Sequence, residues 1–251
     1  MHSNPPKNIL IVGATSGMAE ALARRYAVAG SRFVLIGRDA DKIALIVADL
    51  MARGAAEAQG RHWNASEPTL IGEIVAEASR TLERIDLALI AHGSLPDQER
   101  AATDMSYAVK QLRINGESAI TCMLAIAPHL EKQGCGTLAV IGSVAGDRGR
   151  PSNFVYGAAK AAVEACASGL RARLARSGVH LLLIKPGFVA TAMTAHLDLP
   201  ARLTVGPERV AQDIQAAVDR KRDVLYTPWF WAWIMFIIRQ IPSTIFKRMS
   251  L

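Results

Sequence analysis

Short, nearly continuous apolar runs recur along the chain, separated by longer stretches in which apolar residues return every three or four positions. The runs at residues 8–12, 32–36, 86–91, 136–141 and 179–185 read as strands. A strand covered on both faces has no solvent side on which to place polar residues. The longer stretches at 17–29, 39–53, 68–83, 103–132 and 154–176 read as helices. A weaker strand at 61–64 fills the third position, and a last strand falls at 223–226. Between them a helix covers 206–219, with Pro207 in its first turn, where a missing N–H leaves no bond unmade. Strands alternating with helices predict βαβ units. The expected fold is a single doubly wound α/β domain, a parallel sheet of about seven strands with helices on both faces. No repeat, low-complexity stretch or change of composition marks a linker. That domain is expected over residues 1–227, with residues 228–251 forming an apolar, basic-ended tail.

Composition narrows the classes of function. Of 251 residues 51% are hydrophobic, enough for a large buried core and against global disorder. The formal charge is +7, but the basic residues mostly fall on helical faces and no basic–aromatic interleaving is present, so no nucleic-acid partner is expected. Cys122, Cys135 and Cys166 are odd in number and widely spaced, which argues against both a metal site and a disulfide and fits a reducing cytosol. Residues 1–8 are polar and Pro-containing, without an apolar signal core. The expectation is a cytoplasmic protein.

The first strand runs into Gly13-Ala14-Thr15-Ser16-Gly17-Met18-Ala19 and then a helix. At such a turn glycines let the backbone bend and approach a pyrophosphate, whose charge the helix N-terminus meets. The spacing is GxxxGxA, not GxGxxG. At the end of the second strand an NAD-preferring site places an acid against the ribose hydroxyls. Here Gly37-Arg38 stands instead, and a guanidinium fork suits a 2′-phosphate. NADP is therefore favoured over NAD. Asp39 fits better as the N-cap of the next helix.

The second half carries the reacting groups. The fifth strand ends in Ile141-Gly142-Ser143; Tyr156 follows thirteen residues later, and Lys160 four after that. On a helix, Tyr156 and Lys160 share one face. A neighbouring ammonium is expected to lower the phenol's pKa toward the range useful in acid–base catalysis, with Ser143 placed to hold a carbonyl oxygen that Tyr156 protonates.

Glycine turn, strand-end serine, YxxxK and a following Pro-Gly motif, in this order over essentially the whole chain, resemble the short-chain dehydrogenase/reductase family. The resemblance implies a Rossmann-type domain and a catalytic set of Asn115, Ser143, Tyr156 and Lys160. In that family the residue at Asn115, set in a long helix, helps hold a water linking the lysine to solvent. The resemblance further implies cofactor contacts from Gly13, Thr15, Ser16, Gly17, Met18 and Arg38, from Asn64 and Ala65, from Ala91, His92 and Gly93, and from Tyr156 and Lys160. The segment Lys185-Pro186-Gly187-Phe188-Val189-Ala190-Thr191 matches the loop that holds the nicotinamide carboxamide, so Pro186, Gly187, Val189 and Thr191 join the set. The family's frequent Asn-Ala-Gly triplet is replaced by Ala91-His92-Gly93. His92 could shuttle protons beside the cofactor, but it stands where the family has a small cofactor-lining residue, and a structural or lining role is expected. Intact Ser143, Tyr156 and Lys160 argue against a nucleotide-binding subunit without turnover.

Residues 152–157, 191–197 and 203–205 are similar to one branch of the family, the 2-ketoreductase components of decaprenylphosphoryl-ribose 2′-epimerase. This resemblance implies a lipid-linked keto-sugar substrate and a flavin-dependent oxidase partner; the family habit implies a homo-oligomer. A reductase of another ketone, steroid, fatty or small, would use the same site. The run Trp229-Phe230-Trp231-Ala232-Trp233-Ile234-Met235-Phe236-Ile237-Ile238 is too short to span a bilayer, which takes ~20 apolar residues. With Arg239, Lys247 and Arg248 after it, the tail suits the headgroup region of a membrane or a cover over the substrate pocket. Peripheral contact with the inner face of the cell membrane is therefore expected.

Overall fold

A computed structural model describes residue 5 and residues 7–249. Of the polar N-terminal stretch, residues 1–4 and 6 lie outside the described residues. The chain runs β1 (Asn8–Val12), α1 (Gly17–Ala27), β2 (Arg32–Gly37), α2 (Ala40–Ala52), β3 (Glu57–His62), α3 (Ile71–Leu82) and β4 (Leu87–Ile90). It continues through α4 (Gln98–Thr103), α5 (Met105–Leu112), a π-helical turn (Arg113–Glu117), α6 (Ser118–Gln133), β5 (Thr137–Ile141) and α7 (Phe154–Ala175). It ends with β6 (His180–Pro186), β7 (Phe188–Val189), β8 (Thr204–Val205), α8 (Pro207–Asp219), β9 (Val224–Thr227), α9 (Phe230–Gln240) and α10 (Ser243–Phe246). Seven strands form one parallel sheet in the order β3-β2-β1-β4-β5-β6-β9, as expected of a doubly wound fold.

Alternation within each strand builds two cores. Ile9 and Ile11 of β1 and Phe33 and Leu35 of β2 face one side, where they pack with α1, α2 and α8. Leu10 and Val12, with Val34 and Ile36, face the other and pack with α3, α6 and α7. Successive side chains of a strand point to opposite faces, so helices on both sides require both sets to be apolar. This is why β1, β2, β4, β5 and β6 could be read from their sequence.

Two expectations are corrected. The third strand lies at Glu57–His62, not 61–64. It is the edge strand, bonded on one side only and part-exposed, so its sequence Glu-Ala-Gln-Gly-Arg-His has no apolar run to announce it. The stretch expected as a helix over 103–132 is helical from Met105 to Gln133, but it starts after a break at Asp104 and contains a π-helical turn. Asp104 ends α4 and caps α5, its carboxylate accepting the Tyr107 N–H at 3.0 Å, and the π-helical turn then joins α5 to α6. Within the tail the apolar run forms α9. Pro242 separates α9 from α10.

The tail packs on the catalytic side of the molecule. Trp231 and Met235 of α9 form a third cluster with Val144, against which Phe188, Leu203 and Tyr226 also rest. Trp231 lies directly on Gly187, where a Cβ would fall inside its indole ring, and meets Phe188 edge-on at 5.2 Å between centroids. Close packing, and not a left-handed backbone, demands glycine there. Gly187→Ala is expected to cost about 1–3 kcal/mol through overpacking. A Tm lowered by roughly 2–12 °C in a thermal melt would follow.

Candidate active site

The strand order reverses between β1 and β4, and the crevice at the C-terminal ends of these strands is where doubly wound sheets bind ligands. A cleft opens there. Its walls are the turn after β1 (Gly13, Thr15, Ser16, Gly17, Met18), Gly37 and Arg38 after β2, and Trp63, Asn64 and Ala65 after β3. Ala91, His92, Gly93 and Ser94 after β4 continue it, with Ile114 and Ile141, Tyr156 and Lys160 of α7, and Thr191, Ala192 and Met193.

Each part of the turn after β1 has a reason. Gly13 has φ +86°, and a Cβ on it would strike the His92 backbone, so positive φ and close approach both require glycine. At Gly17 a Cβ would make only an ordinary contact, 3.6 Å to Thr191 Cγ2. Nothing in the protein itself demands glycine there, whereas a ligand lying against the backbone would. The Ser16 side chain makes no capping bond to the start of α1. The first-turn N–H groups are therefore left for an anion. Arg38 is exposed on the cleft wall, while Asp39 accepts the Lys42 N–H at 3.0 Å and caps α2. These residues fit a nicotinamide dinucleotide.

At the other end of the cleft, Lys160 is buried and its Nζ donates to Ile141 O at 3.0 Å. Burial pulls its pKa down to about 8, with the Glu164 carboxylate one turn further along α7 acting in the opposite sense. Its ammonium stands 5.7 Å from the centre of the Tyr156 ring. The Tyr156 phenol is nonetheless pushed up to about 12 by burial, a hydrogen bond with Ser143 offsetting only part. The phenol's pKa therefore lies above its ordinary value in the protein alone, and not below it as expected, because burial disfavours the phenolate. Ser143 caps the short turn after β5 with its own side chain, accepting the Ala145 N–H at 3.1 Å.

Asn115 sits in the π-helical turn and is 1% exposed. Its Oδ1 accepts the Ser94 N–H at 2.8 Å and its Nδ2 donates to Gln111 O at 3.1 Å, so it ties the segment after β4 to the α5–α6 junction. A Cβ on Gly93 would lie 3.0 Å from Asn115 Oδ1 and 3.8 Å from Lys160 Nζ. The glycine therefore lets the amide and the ammonium converge. His92 is part-buried, with Nε2 2.7 Å from Ser118 Oγ and its ring edge-on to Trp63 at 5.1 Å. Burial first, and the Lys160 charge second, depress its pKa to about 3. A pKa so depressed favours the structural or lining role over a proton shuttle. NMR titration between pH 5 and 8 should show its ring resonances unmoved, and a shift across that range would restore the shuttle.

Asn115, Ser143, Pro186, Gly187 and Val189 do not line the cleft. Val189 belongs to the core and pairs with Val205, while Gly187 lies under Trp231; together they carry the loop that brings Thr191 in. Sequence reasoning missed Gly37, Trp63, Ser94, Ile114, Ile141, Ala192 and Met193. Trp63 was findable, since it stands one residue before Asn64, but the misplaced third strand had counted it as strand interior. It also missed a buried ion cluster behind Ser143, in which Lys185 Nζ lies 2.5 Å from Asp147 Oδ1 and 2.7 Å from Glu164 Oε2, and the Tyr226 hydroxyl donates to Asp147. It ties β6, α7 and β9 to the turn carrying Ser143. Removing one partner of such a cluster leaves an uncompensated buried charge.

Comparison with known proteins agrees with this architecture. The family model described as short chain dehydrogenase matches residues 7–201. An uncharacterized oxidoreductase of Mycobacterium tuberculosis is 37% identical over 241 residues, covering 96% of each chain. Another uncharacterized oxidoreductase, from Streptomyces coelicolor, is 32% identical over 252 residues, covering 98% of this chain and 97% of its own. Among solved structures, a short-chain dehydrogenase from Sphingobium yanoikuyae in complex with NADPH superposes with a TM-score of 0.80 at 21% identity, covering 94% of this chain and 97% of that one. It shares the fold. With the family model spanning most of the chain, and the turn, cleft and strand-end groups arranged as described, the chain belongs to the short-chain dehydrogenase family and is an NAD(P)-dependent oxidoreductase.

Proposed function

We propose that the protein uses NADPH to reduce a ketone to a secondary alcohol, with Tyr156 as proton donor. The observation that carries this reading is the convergence of Tyr156 and Lys160 at one end of a cleft whose other end presents Arg38, with Ser143 behind the lining and hydrogen-bonded to the Tyr156 phenol. A bound nicotinamide supplies the hydride for the carbonyl carbon. The protein's own groups handle the oxygen. A phenol held near pKa 12 stays protonated at neutral pH, as an acid must. Ser143 hydrogen-bonds the same oxygen, steadying the charge that develops on it. Once Tyr156 has given up its proton, the buried Lys160 ammonium is the counter-charge that stabilises the phenolate. Asn115 acts by holding Ser94 and the π-helical turn in place around them. The choice of NADPH rests on Arg38 and on the absence of an acid in its place; the structural relative from Sphingobium is itself bound to NADPH.

The sign of the pH dependence comes from Lys160. Its pKa is lowered to about 8, so it is charged below that pH and loses its proton above it. The kcat for reduction is therefore expected to fall as pH rises through about 8, measured with saturating cofactor. A rate flat to pH 10 would remove the lysine's charge from the mechanism.

The substrate class we favour is a polyprenyl-phosphate-linked 2-keto-pentose, reduced at C2, which calls for a flavin-dependent oxidase to supply it. Support comes from the resemblance at residues 152–157, 191–197 and 203–205. Turnover of a polyprenyl-phosphoryl keto-pentose should exceed that of steroid, fatty and small ketones in kcat/KM. Turnover of the simple ketones alone would leave the reductase and remove this substrate. A second copy of the chain is the natural oligomeric partner, for which Met105, Val109 and Leu112 offer an exposed apolar stripe on α5.

A further inference from the structure

The C-terminal segment has two apolar faces, and the fold uses one. Along α9, Trp231, Ile234, Met235 and Ile238 recur at helical spacing and pack on the turn after Ser143 and on Phe188. Trp229, Trp233, Phe236 and Ile237 fall on the opposite side and are 65%, 64%, 57% and 62% exposed. Ile245 and Met249, further on, are also exposed. A contiguous exposed apolar face of this kind marks an interaction surface.

Charge selects the occupant. No acidic residue occurs after Asp223, whereas Arg239, Lys247 and Arg248 are exposed and form no ion pair among the described residues. Indole rings beside unpaired cations and aliphatic side chains match the interfacial zone of an anionic bilayer, where aromatic rings sit at headgroup depth and cations meet lipid phosphates. No helix among the described residues is long and apolar enough to cross a membrane, so the segment would lie along the surface. We propose that the outer face of α9, with the basic end beyond it, docks on the surface of an anionic phospholipid bilayer.

The inner face gives this docking a consequence for the site. Arg148, five residues after Ser143, donates to the carbonyls of Ile238 and Ile241, and its guanidinium lies 3.7 Å from the centre of the Phe246 ring. A membrane bound by α9 is thereby held at a fixed relation to the turn that carries Ser143.

The test is flotation of the full-length protein with large unilamellar vesicles of phosphatidylcholine, with and without phosphatidylglycerol. Co-flotation with the anionic vesicles is expected. Replacing Arg239, Lys247 and Arg248 by Gln should weaken partition by on the order of 100-fold, since each surface cation is worth roughly a factor of five. Trp233→Ser, Phe236→Ser and Ile237→Ser together should abolish it, while reduction of a water-soluble ketone stays unchanged because these side chains point away from the cleft. Failure of the unaltered protein to float with anionic vesicles overturns the proposal, as does flotation that survives the three serine substitutions. Sedimentation velocity showing that those substitutions dissociate an oligomer, with no vesicle binding, would assign the face to a second copy of this chain instead.

Discussion

Replacing Tyr156 by phenylalanine is expected to lower kcat for ketone reduction by on the order of 10²–10⁴, the usual contribution of a positioned general acid. The substitution keeps the ring, its place on α7 and its packing, and removes only the hydroxyl bonded with Ser143. Cofactor affinity, read by titration of the reduced nicotinamide's fluorescence, should stay within a few-fold, because the glycine turn and Arg38 lie at the other end of the cleft. Activity that survives the change would move the proton donor elsewhere. Among the groups of the cleft, His92 is poorly suited to replace it, its pKa being depressed and its ring already engaged with Ser118.

The second large effect lies at Arg38. Arg38→Asp exchanges a guanidinium for a carboxylate on the cleft wall, so a 2′-phosphate loses a charge-assisted pair and gains a repulsion, while ribose hydroxyls gain an acceptor. Hydrogen bonds to charged groups contribute about 1.5–3 kcal/mol. The ratio of kcat/KM for NADPH over NADH should then fall by on the order of 100-fold. Stability should scarcely change, because the side chain is exposed and forms no ion pair among the described residues. An unaltered ratio would return Arg38 to the solvated surface and leave the cofactor choice to other groups. Asp39 would not serve as substitute acid, since its carboxylate is committed to the Lys42 N–H.

How much was legible in advance varied with the physical source of the signal. The five central strands and most of their helices could be read because burial on both faces leaves a one-dimensional trace, an unbroken apolar run followed by a 3.6-residue rhythm. The edge strand β3 leaves no such trace, since none of its residues is fully buried. The break at Asp104 and the π-helical turn at Asn115 interrupt a stretch whose apolar rhythm continues, so pattern alone joined them into one helix. π-Turns of this kind frequently mark functional positions, and here the turn carries Asn115, a residue singled out for another reason.

Local sequence alone determined the α/β alternation, the glycine turn, the capping role of Asp39 and the sharing of one helical face by Tyr156 and Lys160. Each depends on residues a few positions apart, and chain geometry then settles the outcome. The tertiary structure decided what depends on distant residues and on solvent. Only there does Gly187 become obligatory, through an indole more than forty residues away. Burial turned the Tyr156 pKa upward, against the pull anticipated from Lys160, and pushed that of His92 down. Packing likewise divided the apolar tail into a face committed to the catalytic turn and a face left outside. Desolvation and long-range contact are properties of the assembled interior, and no short window of sequence contains them.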